Sequence, residues 1–152
     1  MLVYEEKAEY VSWFRLLFLI PIGLFIGAVI AASNLESEVS LVLAGEGLFF
    51  IVLFYFIMPR KYQIFDDRLR IVLGYPFGIN IFLSTIREVK HSPGMKAFVY
   101  SGVRFATSTK NVIEIVRNKG FNYVISPNNS EAFREQLNQA IEDKVGNKVL
   151  DS

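Results

Sequence analysis

The chain has 152 residues, 52% hydrophobic and 20% charged, with a mean hydropathy of +0.33; that leaves room for one ordinary domain and exceeds the apolar content of most soluble chains. No cysteine is present, which excludes a disulfide framework, a thiolate metal site and a thiol nucleophile, and fits a reducing compartment. The net charge of +1 is unevenly shared: residues 1–59 carry two basic against six acidic side chains, residues 60–152 fourteen against nine.

In chain order, residues 1–15 (MLVYEEKAEYVSWFR) end in Trp13 and Phe14 beside Arg15, the pattern of a chain entering a membrane interface from the cytoplasm. Leu16 to Ala32 is free of charge and, extended by Trp13 and Phe14, is long enough for a first membrane span of about 13–33. Ala31-Ala32-Ser33 resembles a signal-peptide cleavage site, but the acidic leader and a second apolar run argue against one. Gly23, Gly27 and Ala31, four apart, form a stripe of small residues. Such a stripe packs two helices of one chain or pairs helices of different chains, the former being the simpler reading.

The link Ser33 to Glu38 holds only acidic charge, and Val39 to Met58 is a second span, about 30 Å long as a helix. With the juxtamembrane cations Arg15, Arg60 and Lys61, the positive-inside rule places both termini in the cytoplasm and the chain in the plasma membrane as a two-span protein. Glu46, flanked by Gly45 and Gly47, is the one ionisable residue inside a span. It serves as a relay or a contact with another membrane subunit, or simply snorkels or stays protonated; two spans offer little protein for a pathway, which favours the latter.

After residue 59 the pattern shortens to strand-like segments: Tyr62–Phe65, Leu69–Leu73, Ile79–Phe82, Ile86–Lys90, Val103–Thr107, Val112–Arg117 and Phe121–Ile125, about seven in all. Asp66-Asp67, Gly74 to Gly78, and Asn118-Lys119-Gly120 are turns. Pro93 to Gly102, with Met95, Phe98, Val99 and Tyr100, reads as a further strand or an apolar flap. Asn128 and Glu131 have capping-box spacing, and Phe133, Leu137, Ala140 and Ile141 recur as the apolar face of one helix that stops near Gly146.

Two spans followed by YQIFDDRLRIVLG, then GVRFATSTKNVIEIVRNKGFNYVISPNNSEAFREQL, resemble the bacterial pleckstrin-homology-like domains carried behind short membrane hairpins. The resemblance covers about residues 60–142 and implies a mainly β, partly open antiparallel barrel with a C-terminal helix across one end. The expected organisation is a cytoplasmic segment and transmembrane hairpin over 1–59, a PH-like domain over 60–145 and a tail over 146–152.

Catalysis is not expected, and neither are cofactors nor metals. His91 stands alone at a strand end, Asp66-Asp67 suits a turn better than a metal site, and Ser84, Thr85, Ser101, Thr107, Ser108 and Thr109 have no histidine base at recognisable spacing. Gly74 to Gly78 lacks the context of a phosphate loop, and nucleic-acid binding is a poor match to a modest basic charge without a recognition helix. The resemblance implies lipid-headgroup binding through basic residues around the first hairpin loop, but that loop here is the acidic Asp66-Asp67-Arg68. Candidate anionic-lipid contacts are therefore the dispersed Arg87, Lys90, Lys96, Arg104 and Lys110. A membrane-tethered module that recruits a protein partner is the favoured reading, with lipid sensing, or an accessory subunit of a membrane complex or homo-oligomer, as alternatives.

Overall fold

The computed structural model describes residues 1–32, 37–92 and 102–150. They divide into two compact units, one of Val11–Met58 and one that joins Met1–Tyr10 to Pro59–Ser152.

The smaller unit is a pair of helices, α1 (Ser12–Ala32) and α2 (Ser37–Ile57). Neither has a polar stripe, and Leu24, Ile30, Leu41 and Phe49 are among many apolar side chains left exposed. The two helices meet closely at Gly47, where an added Cβ would fall 2.0 Å from Cδ2 of Phe25. Gly47 thus admits the Phe25 ring. Among the described residues Gly23 and Gly27 have nothing within 4 Å of an added Cβ, and the side chain of Ala31 lies outside the described residues. Among the described residues no helix is long and apolar enough to cross a membrane. Several side chains of α1 and α2, those of Trp13 and Arg15 included, lie outside that description, while the charge-free sequence from Leu16 to Ala32 runs unbroken through them. The expected spans therefore rest on the sequence.

In the larger unit, strands β1 (Leu2–Lys7), β2 (Lys61–Phe65), β3 (Arg68–Val72) and β4 (Gly78–Phe82) pair antiparallel in that order. A second sheet runs β5-β7-β8-β6, built from β5 (Ile86–His91), β6 (Val103–Phe105), β7 (Ile113–Arg117) and β8 (Tyr123–Ile125). The period-two alternation expected of half-buried strands is visible in β2 and β3, where Tyr62, Ile64, Leu69 and Ile71 are buried and their neighbours half-buried. Helix α3 (Ser130–Leu150) lays Phe133 and Leu137 into the same core, with Ala140 buried and Ile141 packed beside it. Phe133 meets the Tyr62 ring edge-on at 5.9 Å, and burial of each large apolar side chain contributes about 1.5–3 kcal/mol.

This architecture differs from the expected one in four places. The described strands number eight in two open sheets, not about seven in a partly open antiparallel barrel, and β6 runs parallel to β8. The first ten residues are not a lead-in: β1 adds to the edge of β2, with Glu5 opposite Gln63 and Lys7 opposite Lys61. The cap of α3 is Asn129, whose Oδ1 accepts from Ala132 N–H at 3.2 Å, one residue later than the Asn128 spacing suggested. Gly146 does not stop the helix, since a glycine weakens a helix by about 1 kcal/mol relative to alanine but does not break it. The apolar segment expected at 93–102 lies outside the described residues, save Gly102.

Candidate functional site

Insertion of the helical pair between β1 and β2 gives the larger unit two distinct ends. At one, the chain leaves at Tyr10 and returns at Pro59. Ala8 N–H bonds Arg60 C=O at 3.1 Å, the Tyr10 hydroxyl donates to Pro59 C=O, and Arg60 N–H reaches Val72 C=O at 2.7 Å. Exit and return are thus adjacent, a consequence of antiparallel pairing between β1 and β2.

A buried clasp of hydroxyls holds this end. Tyr62, fully buried, donates to Phe105 C=O at 2.9 Å and accepts from Ser126 N–H at 3.3 Å. Ser126 Oγ accepts from Thr107 N–H (2.8 Å) and Ser108 N–H (3.2 Å), and its carbonyl accepts from Glu9 N–H at 2.8 Å. Thr107 Oγ1 donates to Glu9 C=O, and Asn111 Nδ2 donates to Glu9 Oε2 at 3.1 Å and to Asn128 C=O at 3.0 Å. Burial pushes the Tyr62 phenol far up, partly opposed by its bonds to Ser126. Burial also raises the Tyr10 phenol, against the pull of the Arg60 charge. These hydroxyls join β2, β8, the Glu9 backbone and the β6–β7 loop, and His91 sits exposed at the end of β5.

The same end carries an exposed aromatic turn. Between β3 and β4, Leu73 N–H bonds Phe77 C=O at 3.1 Å and Phe77 N–H bonds Gly74 C=O at 2.8 Å, which leaves Tyr75 83% and Phe77 53% exposed. Beside it, Arg70 lies over Gly78: an added Cβ there would meet its Nε at 3.1 Å, and that buried Nε has no hydrogen-bond partner among the described residues.

The opposite end is formed by the Asp66-Asp67 turn, the 3-10 turn Leu83–Thr85 and the β7–β8 loop. Leu83 N–H bonds Asp67 C=O at 3.0 Å and Asn118 N–H bonds Thr85 C=O at 2.9 Å. Gly120 takes φ +88°, as a tight turn requires. Asp66 pairs with the Met1 ammonium, and Asp67 lies 3.4 Å from Arg68 Nη1. Here Arg68 stands over the Phe65 ring at 5.2 Å and opposite Phe82 in the β3–β4 register; Phe82 is 53% and Phe121 68% exposed. A five-residue strand separates the two ends by about 17 Å.

The cations singled out by sequence do not converge. Arg60 and Lys61 flank the return of the chain, Lys61 3.0 Å from Glu5; the hydrogen bond from Gln63, and then that from Lys61, hold the Glu5 carboxyl below the usual range. Lys110 is held beside Asn111 at the same end, through its N–H to Ser108 Oγ at 3.1 Å. Lys90 pairs with Glu88 at 2.9 Å, Arg87 lies one residue into β5 toward the opposite end, Arg104 is in β6, and Lys96 lies outside the described residues. In the helical unit Glu46 and Gly45 are exposed, as are Gly23 and Gly27. The side chains that sequence reasoning passed over are Tyr75, Phe77, Phe82 and Phe121, whose exposure depends on turn geometry and has no periodic signal.

One family model matches, described as a bacterial PH domain, over residues 60–140, more than half of the chain. No curated protein and no solved structure matches.

Proposed function

The chain belongs to the bacterial PH domain family, and from that premise we propose that it is a non-catalytic interaction module, held at the cytoplasmic face of the plasma membrane by α1 and α2 as a two-span hairpin, whose free end recruits a protein partner. The observation that carries this reading is Arg68 over the Phe65 ring and opposite the exposed Phe82, with the exposed Phe121 in the β7–β8 loop, all at the end away from Tyr10 and Pro59. Exposed aromatics grouped with an arginine are the residue types on which protein interfaces concentrate their binding energy. Tethering supports recruitment, because it raises the effective concentration of the module at the membrane without any new contact. The charge-free run Leu16–Ala32, the exposed apolar side chains of both helices and the adjacency of exit and return all favour a hairpin with its two ends on one side.

Headgroup recognition at the Asp66-Asp67 turn is disfavoured here, because both side chains are acidic and the turn, which joins β2 to β3, lies at the end away from Tyr10 and Pro59. A second reading has its own support. Gly23, Gly27 and Glu46 are on the outside of the helical pair, where only lipid or another chain reaches them, as an accessory subunit or a homo-oligomer requires.

A photo-crosslinking residue at Lys119 in the full chain, in its own membrane, should trap a discrete protein that the same probe at Glu135 on α3 does not. Phe82→Asp should abolish that adduct. Equal adducts at both positions, or an adduct indifferent to Phe82→Asp, would count against recruitment through the free end. An adduct formed instead from a probe beside Gly27 would favour the subunit reading.

A further inference from the structure

We infer that the open edge of β4 is a self-association surface: β4 of one chain pairs antiparallel with β4 of a second copy, centred on Asn80, and joins the two four-stranded sheets into one. This rests on the recruitment reading and deepens it, since it names a second copy as the protein that meets Phe82.

β4 closes its sheet on one side, and the bonds flanking it fix which of its main-chain groups face outward. Leu83 N–H bonds Asp67 C=O at 3.0 Å and Leu73 N–H bonds Phe77 C=O at 3.1 Å, so in the unbroken register between them Leu69/Ile81 and Ile71/Ile79 are the hydrogen-bonded pairs. The N–H and C=O groups of Gly78, Asn80 and Phe82 therefore point away from β3. Among the described residues they meet one partner on that side, the Thr85 hydroxyl, which donates to Phe82 C=O at 2.7 Å and leaves that oxygen a second lone pair.

Exposed edges template pairing with other chains and are ordinarily blunted by charge, by irregular register or by shortness. The other three edges are blunted in these ways. β1 carries Glu5, Glu6 and Lys7 and shifts register between Leu2 and Tyr4; β5 carries Arg87, Glu88 and Lys90 and shifts register between Ile86 and Glu88; β6 is three residues long and includes Arg104. β4, with the sequence GINIF, has no charge and pairs with β3 without a shift.

Self-complementarity makes a second copy the occupant. With Asn80 opposite Asn80, Gly78 of each copy falls opposite Phe82 of the other, and no charged side chain of β4 meets its own copy across the axis. Phe82 is 53% exposed, and an aromatic ring placed across from an edge glycine covers the backbone that the glycine leaves bare. Arg70 lies over that same glycine, its buried Nε without a hydrogen-bond partner among the described residues, so its guanidinium receives the incoming ring as a cation on a π face. Two-fold pairing is isologous, so each of these contacts forms twice.

The test uses the purified full chain in detergent; it has no native cysteine, so an introduced thiol reports alone. In the hydrogen-bonded pair at the axis the two Asn80→Cys positions have Cα atoms about 5.5 Å apart, within disulfide reach. Mild oxidation should link Asn80→Cys into a dimer and leave two exposed controls monomeric: Ser84→Cys, just beyond the end of β4, and Glu135→Cys on α3. Adding Phe82→Asp, or the milder Phe82→Ser, to Asn80→Cys should abolish the dimer while the near-UV spectrum stays native. Absence of a dimer from Asn80→Cys, equal linking at all three positions, or a dimer indifferent to both Phe82 substitutions overturns the pairing. Arg70→Gln should lower the dimer yield; an unchanged yield removes Arg70 from the contact. Recruitment is tested apart from self-association: if Asn80→Cys stays monomeric while the Lys119 probe traps a different protein, the pairing falls and recruitment stands, and if neither product forms, both fall.

Discussion

The Tyr62 hydroxyl is the most informative single group in the β unit, because one oxygen serves both as donor to Phe105 C=O and as acceptor for Ser126 N–H. Tyr62→Phe keeps the ring in its edge-on contact with Phe133 and removes only that oxygen, so the buried Ser126 N–H and the partly buried Phe105 C=O lose a partner. An unsatisfied buried group costs about 1–3 kcal/mol, and the longer bond to Ser126 belongs at the low end, so the loss should be about 2–4 kcal/mol. For a unit of this size that corresponds to a fall in Tm of roughly 10–20 °C. Thermal unfolding of the full chain in detergent, in a Trp13→Phe background and followed by near-UV circular dichroism, reads the shift through the remaining tyrosines, most of which lie outside α1 and α2. The pH dependence provides an internal check. Burial raises the phenol above its unfolded value near 10, so this contribution to stability is present below about pH 10 and is lost as pH rises beyond it. The Tyr62→Phe variant should lack that alkaline loss. A change within about 0.5 kcal/mol, the range of an ordinary surface substitution, would refute the clasp as a determinant of stability.

Replacing Val11–Met58 by a short glycine-containing turn should yield a folded, soluble β unit with the native near-UV spectrum, because Tyr10 and Pro59 are already joined. A fragment beginning at Arg60 should unfold at lower temperature, since it lacks β1; equal melting of the two proteins would contradict the role given to that strand. In the helical unit, Gly47→Leu should destabilise packing by about 1–3 kcal/mol, with partial rescue by Phe25→Ala, measured as heat resistance of helicity in micelles. Absence of rescue would show that the two residues do not meet.

Much of the β unit was legible because its strands obey elementary patterns. Alternation in β2 and β3 exposed the core face, Asn118-Lys119-Gly120 announced the β7–β8 turn, and Phe133, Leu137 and Ala140 marked the buried face of α3. The strand β1 was hidden for a physical reason: Leu2–Lys7 carries two adjacent glutamates and no alternation, and it becomes a strand only because the edge of β2 offers unpaired main-chain groups. Its position beside Trp13, Phe14 and Arg15 also invited a membrane-entry reading of the whole segment. The parallel pairing of β6 with β8 was equally out of reach, because three-residue strands depend on neighbours and not on their own pattern. Among the site residues, charge was visible and grouping was not. Arg87 and Lys110 belong to different ends, and Lys61 and Lys90 face acids.

Cysteine accessibility tests the central claim, a β unit held on the cytoplasmic side by a two-span hairpin, most directly. The chain has no native cysteine, so Glu38→Cys near the start of α2 and Asn118→Cys in the β7–β8 loop report without background. In intact cells a membrane-impermeant maleimide should label Glu38→Cys and leave Asn118→Cys untouched until the membrane is opened. Labelling of both positions from the same side, or recovery of the unlabelled chain in the soluble fraction, would contradict the account.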